Sequence, residues 1–217
     1  MTIISTVIVP EGIAMAADSR LTSNFSYGNG ATDRFTLTDN AQKLVLVRKS
    51  TIGISFCGDA IIEGKTVADI LRIFDIEKIS VEDTVSQVSE KLQVFLQSSY
   101  GTYNIAFIVA GYDSDEPFVY SVTKNELRRT NFENGQLVYT MTFNGEMETI
   151  NKLFNGIATN FSLMPLKDAA DLAEFSAEVT IKYQRFQHTI ATCGGAIDLL
   201  VITKDYAKFI KHKLLAP

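Results

Sequence analysis

Strand-like and helix-like hydrophobic patterns follow one another in separate blocks, and this order restricts the fold more than any other sequence feature. Strand-like runs rich in β-branched residues come first, at residues 2–9, 13–17, 43–47 and 51–56. Two segments with a helical period follow, at residues 67–74 and 81–96. Strand-like runs return at residues 105–110, 118–122, 126–130 and 136–143. Two more helix-like segments, at residues 147–161 and 172–186, precede a last strand-like run at residues 196–203. Segregated blocks of this kind predict an α+β protein, a four-layer αββα sandwich of two antiparallel sheets flanked by helices.

Three local patterns give more specific expectations. Residues 23–40 are rich in Asn, Gly, Ser, Thr and Asp without a sustained period, so we expect a long irregular loop. Ser80 and Asp83 have the spacing of a capping box and are expected to start the second helix. The last helix is expected to use one apolar stripe for packing, formed by Leu172, Phe175, Val179, Tyr183 and Phe186.

The composition restricts the domain organisation and the functions open to the chain. With 217 residues, 46% hydrophobic content, 13 Gly and 4 Pro, the chain is expected to form a single domain, residues 1–217, without a flexible linker. A net charge of −5 argues against binding to nucleic acid or to an anionic membrane surface. No apolar run approaches the roughly 20 residues that cross a bilayer.

Cysteine and histidine usage argues against a disulfide framework and against a metal site. The two cysteines, Cys57 and Cys193, follow no secretory leader, and we expect a reduced, cytoplasmic protein. No CxxC or HxxxH pattern occurs, so no metal ligation is expected. Neither cysteine has a histidine beside it, which favours a structural role over that of a nucleophile.

The candidate chemistry begins with a threonine and an acid at the two ends of the first strand pair. Thr2 precedes the first strand, the chain turns at Gly12, and Asp18 ends the second strand. On the residues alone, two interpretations of Asp18 stay open: it caps the turn, or it takes part in a reaction.

Several stretches together resemble a known family. Thr2 followed by a strand, and Gly12 leading to Asp18-Ser-Arg20-Leu-Thr22, are similar to the opening of the β-type proteasome subunits and their bacterial relatives, which use the same separation of 16 positions between position 2 and position 18. Further similar stretches follow in the family's order, namely Gln42-Lys43-Leu44, Phe56-Cys57-Gly58-Asp59-Ala60, residues 108–113, residues 117–121, and Cys193-Gly194-Gly195. The resemblance covers most of the chain.

This resemblance implies an N-terminal nucleophile hydrolase. Once Met1 is removed, the Thr2 hydroxyl would attack a carbonyl while its free α-amine accepts the proton. The ammonium of Lys43 would keep that amine available as a base, and Asp18 would hold Lys43 and the amino terminus in register. The Gly58 backbone N–H is expected to donate to the oxyanion. This chemistry needs no cofactor.

The same resemblance implies the residues that hold a substrate and support the site. Thr22 and the segment around Gly58 would pair with an extended peptide by main-chain hydrogen bonds. Arg20, Phe56 and Ala60 are expected to shape the pocket for the residue before the cut. Three positions depart from the family pattern: Asn144 and Cys193 occupy the places of two supporting serines, and Ile190 occupies that of an aspartate.

Three functions remain open at this point. The leading expectation is a threonine-type endopeptidase that acts on peptides or unfolded proteins in a homo-oligomeric ring, with any ATPase partner unidentified. The departures at Asn144, Ile190 and Cys193 motivate the first alternative, a catalytically silent proteasome-like subunit or scaffold. The second alternative is a hydrolase of small amides within the wider N-terminal nucleophile class.

Overall fold

The computed structural model describes residues 2–28, 30, 32–188 and 190–214. The first half contains β1 (Ile3–Val9), β2 (Gly12–Ala17), β3 (Leu21–Ser26), β4 (Thr32–Thr38), β5 (Leu44–Val47), β6 (Ile52–Gly58), β7 (Ile61–Ile62), β8 (Lys65–Thr66), α1 (Val67–Lys78) and α2 (Val85–Ser99). The second half contains β9 (Ile105–Asp113), β10 (Glu116–Thr123), β11 (Leu127–Arg129), β12 (Phe132–Glu133), β13 (Gln136–Leu137), β14 (Met141–Gly145), α3 (Glu148–Phe154), a 3₁₀ turn (Phe161–Leu163), α4 (Leu166–Gln184), β15 (Asp198–Ile202) and β16 (Ala207–Lys211).

Two five-stranded antiparallel sheets form the centre of the molecule. The first has the order β14-β1-β2-β15-β16, and the second has the order β11-β10-β9-β6-β5. Residues of α1 and α2 share an apolar cluster with the second sheet, and residues of α3 and α4 share one with the first. A third cluster lies between the sheets. The predicted four-layer αββα sandwich is therefore confirmed.

Side-chain alternation along β1 explains how one strand serves two layers. Ile3, Val7 and Val9 belong to the cluster shared with α3 and α4, whereas Ile4 and Ile8 belong to the cluster between the sheets. Successive side chains of a strand point to opposite faces, so a strand covered on both faces is buried along its whole length and is mostly apolar, with Ser5 and Thr6 as the polar residues of β1.

The stretch expected to be an irregular loop contains a hairpin. β3 and β4 pair with each other in antiparallel register from Leu21↔Thr38 to Ser26↔Thr32. The strand period is hidden in the sequence because the described residues of β4 are polar or exposed, so no apolar face marks the strand. The hairpin rises from the end of β2, beside the predicted catalytic Asp18.

The second helix begins four residues later than the capping-box spacing predicted. Thr84 is the N-cap, and it exchanges both capping-box hydrogen bonds with Gln87. The Asp83 carboxylate does accept a hydrogen bond from the Ser80 N–H at 2.7 Å, but this closes the turn before the helix. The prediction of Ser80 as the cap is therefore wrong, because the same spacing also closes a tight turn.

The last helix buries mainly small residues, and of the predicted apolar stripe only Leu172 and Val179 are partly buried against the cluster shared with the first sheet. Its buried face comprises Ala169, Ala170, Ala173, Ser176, Ala177, Thr180, Ile181 and Gln184. Phe175, Tyr183 and Phe186 are exposed. Small side chains let α4 approach β1 and β2 closely, so volume and not hydrophobicity selects the inward face.

No helix within the described residues is both long and apolar enough to span a bilayer.

Candidate active site

Thr2 opens onto a cleft of about 590 Å³ at one end of the sandwich. The cleft is lined by the start of the chain, the segment after β2, the β3–β4 hairpin, the end of β6 with the residues after it, and the end of β14. The lining residues are Thr2, Arg20, Leu21, Thr22, Ser23, Arg34, Leu37, Cys57, Gly58, Asp59, Ala60, Ile61, Asn104 and Gly145. Thr2 itself is 5% exposed. Met1, which must be removed to free the α-amine of Thr2 for the expected reaction, lies outside the described residues.

The backbone of Thr2 is held by the turn after β14. The Glu146 N–H donates to the Thr2 carbonyl at 2.8 Å. Gly145 has a φ of 96°, and a Cβ added there would lie 1.8 Å from the Thr2 carbonyl oxygen. Only glycine permits this approach of the two chain segments.

Asp18 lies directly behind Thr2 and is fully buried. Its Oδ1 accepts the Ile3 N–H at 3.1 Å and the Lys43 ammonium at 2.8 Å. Its Oδ2 accepts the N–H groups of Arg20 at 3.2 Å and Gly194 at 3.0 Å. The carboxylate therefore has four donors, which offset the cost of burying its charge.

Lys43 is the residue immediately before β5; it is 1% exposed, and its ammonium contacts Asp18. A buried ammonium needs a partner, and Asp18 supplies it. Since the Ile3 N–H and the Lys43 Nζ share one oxygen, the ammonium lies close to the peptide bond that follows Thr2.

Gly58 ends β6 at the cleft with a φ of 106°. A Cβ at this position would lie 2.1 Å from the Asn104 carbonyl oxygen. The next residue is fixed as well, because the Asn104 N–H donates to the Asp59 carboxylate at 2.8 Å while the Asp59 N–H donates to the Asn104 carbonyl at 3.0 Å. Gly58 thus brings bare backbone to the cleft on a rigid support.

Arg20 lines the cleft, but its guanidinium is engaged within the protein. It forms a two-pronged contact with Asp39, with Nε–Oδ1 and Nη2–Oδ2 distances of 2.7 and 2.9 Å. The hydrogen bond to Asp39 raises the pKa of Arg20, and the same bond lowers the pKa of the Asp39 carboxyl. Asp39 was not among the site residues predicted from the sequence, because it lies in the stretch that was expected to be an irregular loop.

Thr22 and Ala60 also line the cleft, whereas Phe56 faces away from it. Phe56 is 3% exposed and belongs to the apolar cluster beneath α1 and α2, where it contacts Phe107. Cys57, the next residue of β6, lines the cleft instead. The expectation that Phe56 shapes the pocket is corrected by the alternation of side chains along the strand.

Both cysteines carry neutral thiols. Burial raises the pKa of Cys57 to about 11 and that of Cys193 to about 12. The Cys193 side chain is fully buried in the cluster between the first sheet and α4. A thiolate is the nucleophilic form, so this environment argues against either cysteine as a nucleophile.

The two other departures from the family pattern, Asn144 and Ile190, do not line the cleft. The Asn144 Oδ1 accepts the N–H of its neighbour Gly145 at 2.7 Å. Ile190 is 50% exposed. Neither provides a carboxylate or hydroxyl beside Asp18.

The segment containing Gly194 and Gly195 closes the back of the site. The Gly194 N–H donates to Asp18, and its carbonyl accepts the Ser19 N–H at 2.9 Å. A Cβ on Gly194 would meet the Arg20 guanidinium at 2.6 Å, and one on Gly195 would meet the Asp39 carbonyl at 2.2 Å. In the sequence these two glycines stood out only as part of a family motif, although two consecutive glycines also indicate a close approach between backbone segments.

Within the described residues, no group of three or more His, Cys, Asp or Glu side chains could hold a metal ion.

The comparison with protein-family models agrees with this fold. A family model described as Proteasome subunit matches residues 2–125, a span that includes Thr2, Asp18, Lys43 and Gly58. The fold is therefore that of the N-terminal nucleophile hydrolases. Because the match covers more than half of the chain, the protein belongs to the proteasome subunit family. No curated protein sequence matches it.

Proposed function

We propose that this chain is a threonine-type peptidase that cleaves peptides or unfolded proteins with Thr2 as the N-terminal nucleophile. The observation that carries the proposal is the buried ion pair between Lys43 and Asp18. One carboxylate oxygen of Asp18 accepts hydrogen bonds from both the Lys43 ammonium and the Ile3 N–H, which belongs to the peptide bond after Thr2. A charged pair buried at this cost beside a cleft-lining threonine supports a chemical role for that threonine.

The reaction starts when Thr2 is the first residue, because its α-amine must be free to act as a base. The Thr2 Oγ attacks the substrate carbonyl carbon while the α-amine takes the hydroxyl proton. The ordinary pKa of such an amine is about 7.7–8.0, and a neighbouring ammonium disfavours its protonated form. Lys43 supplies that ammonium.

The tetrahedral intermediate carries its negative charge on the former carbonyl oxygen, and the Gly58 N–H donates to it. The intermediate collapses with cleavage of the carbon–nitrogen bond, and the α-ammonium gives its proton to the leaving amine. Water then attacks the ester on Thr2, again with the α-amine as base, and releases the carboxylic acid. Every proton acquired by the amine is returned in the following collapse.

The substrate lies extended in the cleft, with main-chain hydrogen bonds to the segments around Thr22 and Gly58. Ala60 and Cys57 bound the pocket for the residue before the cut. The Arg20–Asp39 pair supports the cleft wall from behind and is not a ligand of the substrate.

The chain acts in a homo-oligomeric ring. Phe175 and Phe186 are exposed on α4 and Leu163 precedes that helix, and exposed apolar side chains of this size favour a protein contact. Sedimentation velocity at micromolar concentration tests the assembly, and a single species of 24.0 kDa would contradict it.

A second candidate function is a catalytically silent proteasome-like subunit. Two observations favour it: the Asn144 side chain is engaged by its own neighbour, and Ile190 stands exposed where the family pattern has an acid. In that case the fold serves assembly, and Thr2 has no reaction to perform.

Intact mass spectrometry decides between these functions. The purified protein is incubated with an epoxyketone peptide, which reacts with an N-terminal threonine, alongside Thr2→Ala and Thr2→Ser variants. Loss of Met1 and one adduct in the wild type and in Thr2→Ser, with none in Thr2→Ala, supports the peptidase. Loss of Met1 without any adduct supports the silent subunit.

A further inference from the structure

Gln184 is a buried amide that the proposed reaction does not use. It is the last residue of α4 and is 5% exposed. Its Oε1 accepts the N–H groups of Thr192 at 2.9 Å and Cys193 at 2.8 Å, and its Nε2 lies 3.2 Å from the Thr192 Oγ1. Two donors on one carbonyl oxygen fix the orientation of both the side chain and the segment that it holds.

The segment held by Gln184 is the one that contacts the catalytic acid. Gly194 follows Cys193 directly, and its N–H donates to Asp18 Oδ2 at 3.0 Å. The Gly194 carbonyl accepts the Ser19 N–H at 2.9 Å, so the segment is joined to the end of β2 at two points. The other oxygen of Asp18 receives Lys43 and the Ile3 N–H. An unbroken series of hydrogen bonds and backbone therefore runs from α4 to the residue after Thr2.

Gln184 supplies polar support to this segment together with Arg20, whose Nη1 donates to the Ala191 carbonyl at 3.3 Å. Ile190 is exposed, and the Cys193 side chain points into the apolar cluster beneath α4. The hydroxyl of Thr192 is itself 3.2 Å from the Gln184 amide nitrogen. Within the described part of this segment, the backbone of Gly194 makes the contact with Asp18, and Gln184 accepts the N–H groups of the two residues that precede Gly194.

We propose that Gln184 is a positioning residue for the Thr2 centre. It holds the 192–194 segment so that the Gly194 N–H stays on Asp18, which in turn keeps Lys43 and the amide after Thr2 in place. The proposal rests on the proposed peptidase activity, since positioning matters only if Thr2 reacts. Displacement of a reacting group by about 1 Å can cost on the order of 100-fold in rate.

Three variants separate positioning from general stability. Gln184→Met keeps the length of the side chain but removes both the acceptor and the donor. Gln184→Glu keeps an acceptor for the two N–H groups, and the Thr192 hydroxyl can donate to it. Thr180→Val is the matched control, because Thr180 lies one turn earlier on the same buried face and its hydroxyl donates only to the Ser176 carbonyl among the contacts described.

Peptide hydrolysis by the assembled, Met1-free protein provides the first measurement. Gln184→Met is expected to lower kcat by about 10- to 100-fold with KM unchanged within about twofold, because no cleft-lining residue is altered. Gln184→Glu is expected to restore most of kcat, and Thr180→Val to retain it at a similar loss of Tm. An unchanged kcat in Gln184→Met, or an equal loss in Thr180→Val, overturns the proposal.

Amide hydrogen exchange provides a second measurement that needs no activity. Gln184→Met is expected to speed exchange at Gly194 and at Ile3, two of the three backbone amides that donate to Asp18, whereas Thr180→Val leaves both slow. Fast exchange at Gly194 without any change at Ile3 overturns the positioning role. If the wild type forms no Thr2 adduct but the exchange of the two amides is coupled, the peptidase proposal fails and the connection from Gln184 to Asp18 stands.

Discussion

The Nζ of Lys43 lies 2.8 Å from the Oδ1 of Asp18, and the two side chains are 1% and 0% exposed. Such a pair is weak evidence for stability, because desolvation offsets most of the attraction between the charges. Its position beside the amide that follows Thr2 is what the proposed reaction requires.

Removing one partner of the pair leaves an uncompensated buried charge. Lys43→Met is expected to lower the free energy of unfolding by about 3–5 kcal/mol and to abolish modification of Thr2. The double variant Asp18→Asn/Lys43→Met removes both charges, so it is expected to recover part of the stability without recovering the reaction. Urea unfolding and adduct mass measure the two effects separately. A Lys43→Met protein that still forms the adduct would falsify the role given to the ammonium.

Glycine at position 145 is needed for contact and not only for its backbone angle. Gly145→Ala adds a Cβ 1.8 Å from the Thr2 carbonyl oxygen, whereas Gly135→Ala, with a similarly positive φ of 79°, meets open space. The control should cost only the strain of a left-handed alanine, about 1–2 kcal/mol. Gly145→Ala is expected to cost more and to slow the reaction of Thr2, as measured by thermal unfolding and by the rate of adduct formation. Equal behaviour of the two variants would contradict the close approach.

The thiol of Cys57 borders the cleft, but the residue is only 6% exposed and the thiol is neutral. With a pKa raised to about 11 by burial, less than about one thiol in a thousand is ionised at pH 7.5. Folded protein is therefore expected to resist iodoacetamide at that pH and to react faster as the pH approaches 11. Denatured protein serves as the control and should take up one label on each of its two cysteines. Rapid labelling of the folded chain with loss of activity would point to a cysteine nucleophile.

Substrate preference should respond to Ala60 and not to Phe56. Ala60→Leu narrows the cleft and is expected to change the ratio of kcat/KM between peptides with small and large residues before the cut. Phe56→Leu alters the cluster beneath α1 and α2, so it is expected to cost about 1 kcal/mol or more in stability and to leave that ratio unchanged. Peptide profiling of both variants checks this, and a shifted ratio in Phe56→Leu alone would reverse the assignment.

The Arg20–Asp39 contact makes a pH-dependent contribution to stability. The hydrogen bond from Arg20 lowers the pKa of Asp39 below its ordinary value of 3.8, so the stabilisation is present at neutral pH and is lost as the pH falls through the lowered value. Asp39→Asn should therefore lower Tm at pH 7, by an amount equivalent to no more than about 1 kcal/mol, and the difference from wild type should shrink below pH 3.8. Glu126→Gln, which breaks the exposed pair with Arg128, is the control and should have little effect at either pH.

The layers of the fold were predictable from the sequence because each depends on a period that side chains obey. β1 and β2 are mostly apolar and buried along their whole length, and α1 and α2 carry regular apolar stripes, so their order could be predicted directly. The orientation of α4 could not, because Ala173 and Ala177 are buried for their small size while Phe175 is larger and more hydrophobic yet exposed. A scale of hydrophobicity ranks these residues in the opposite order.

The candidate site was predictable in part, for a related reason. Asp18 and Lys43 were selected through the resemblance of short motifs, and the structure brings them together. Gln184 and Asp39 were not, because Gln184 binds backbone N–H groups and Asp39 lies in a segment without a period, and neither feature leaves a pattern in the sequence. Phe56 was misplaced by one residue of strand alternation, which a motif match does not resolve.

The contact between Gly194 and Asp18 joins positions that are 176 residues apart in the chain. Asp18 also takes donors from Ile3 and Lys43, so its surroundings are complete only when β1, β5 and the segment before β15 have all reached their final places. Closing a loop of that length carries an entropic cost that only a nearly complete core can repay. A partly synthesised or partly folded chain lacks this arrangement, so the reaction proposed for Thr2 would be open only to a chain that has completed its fold.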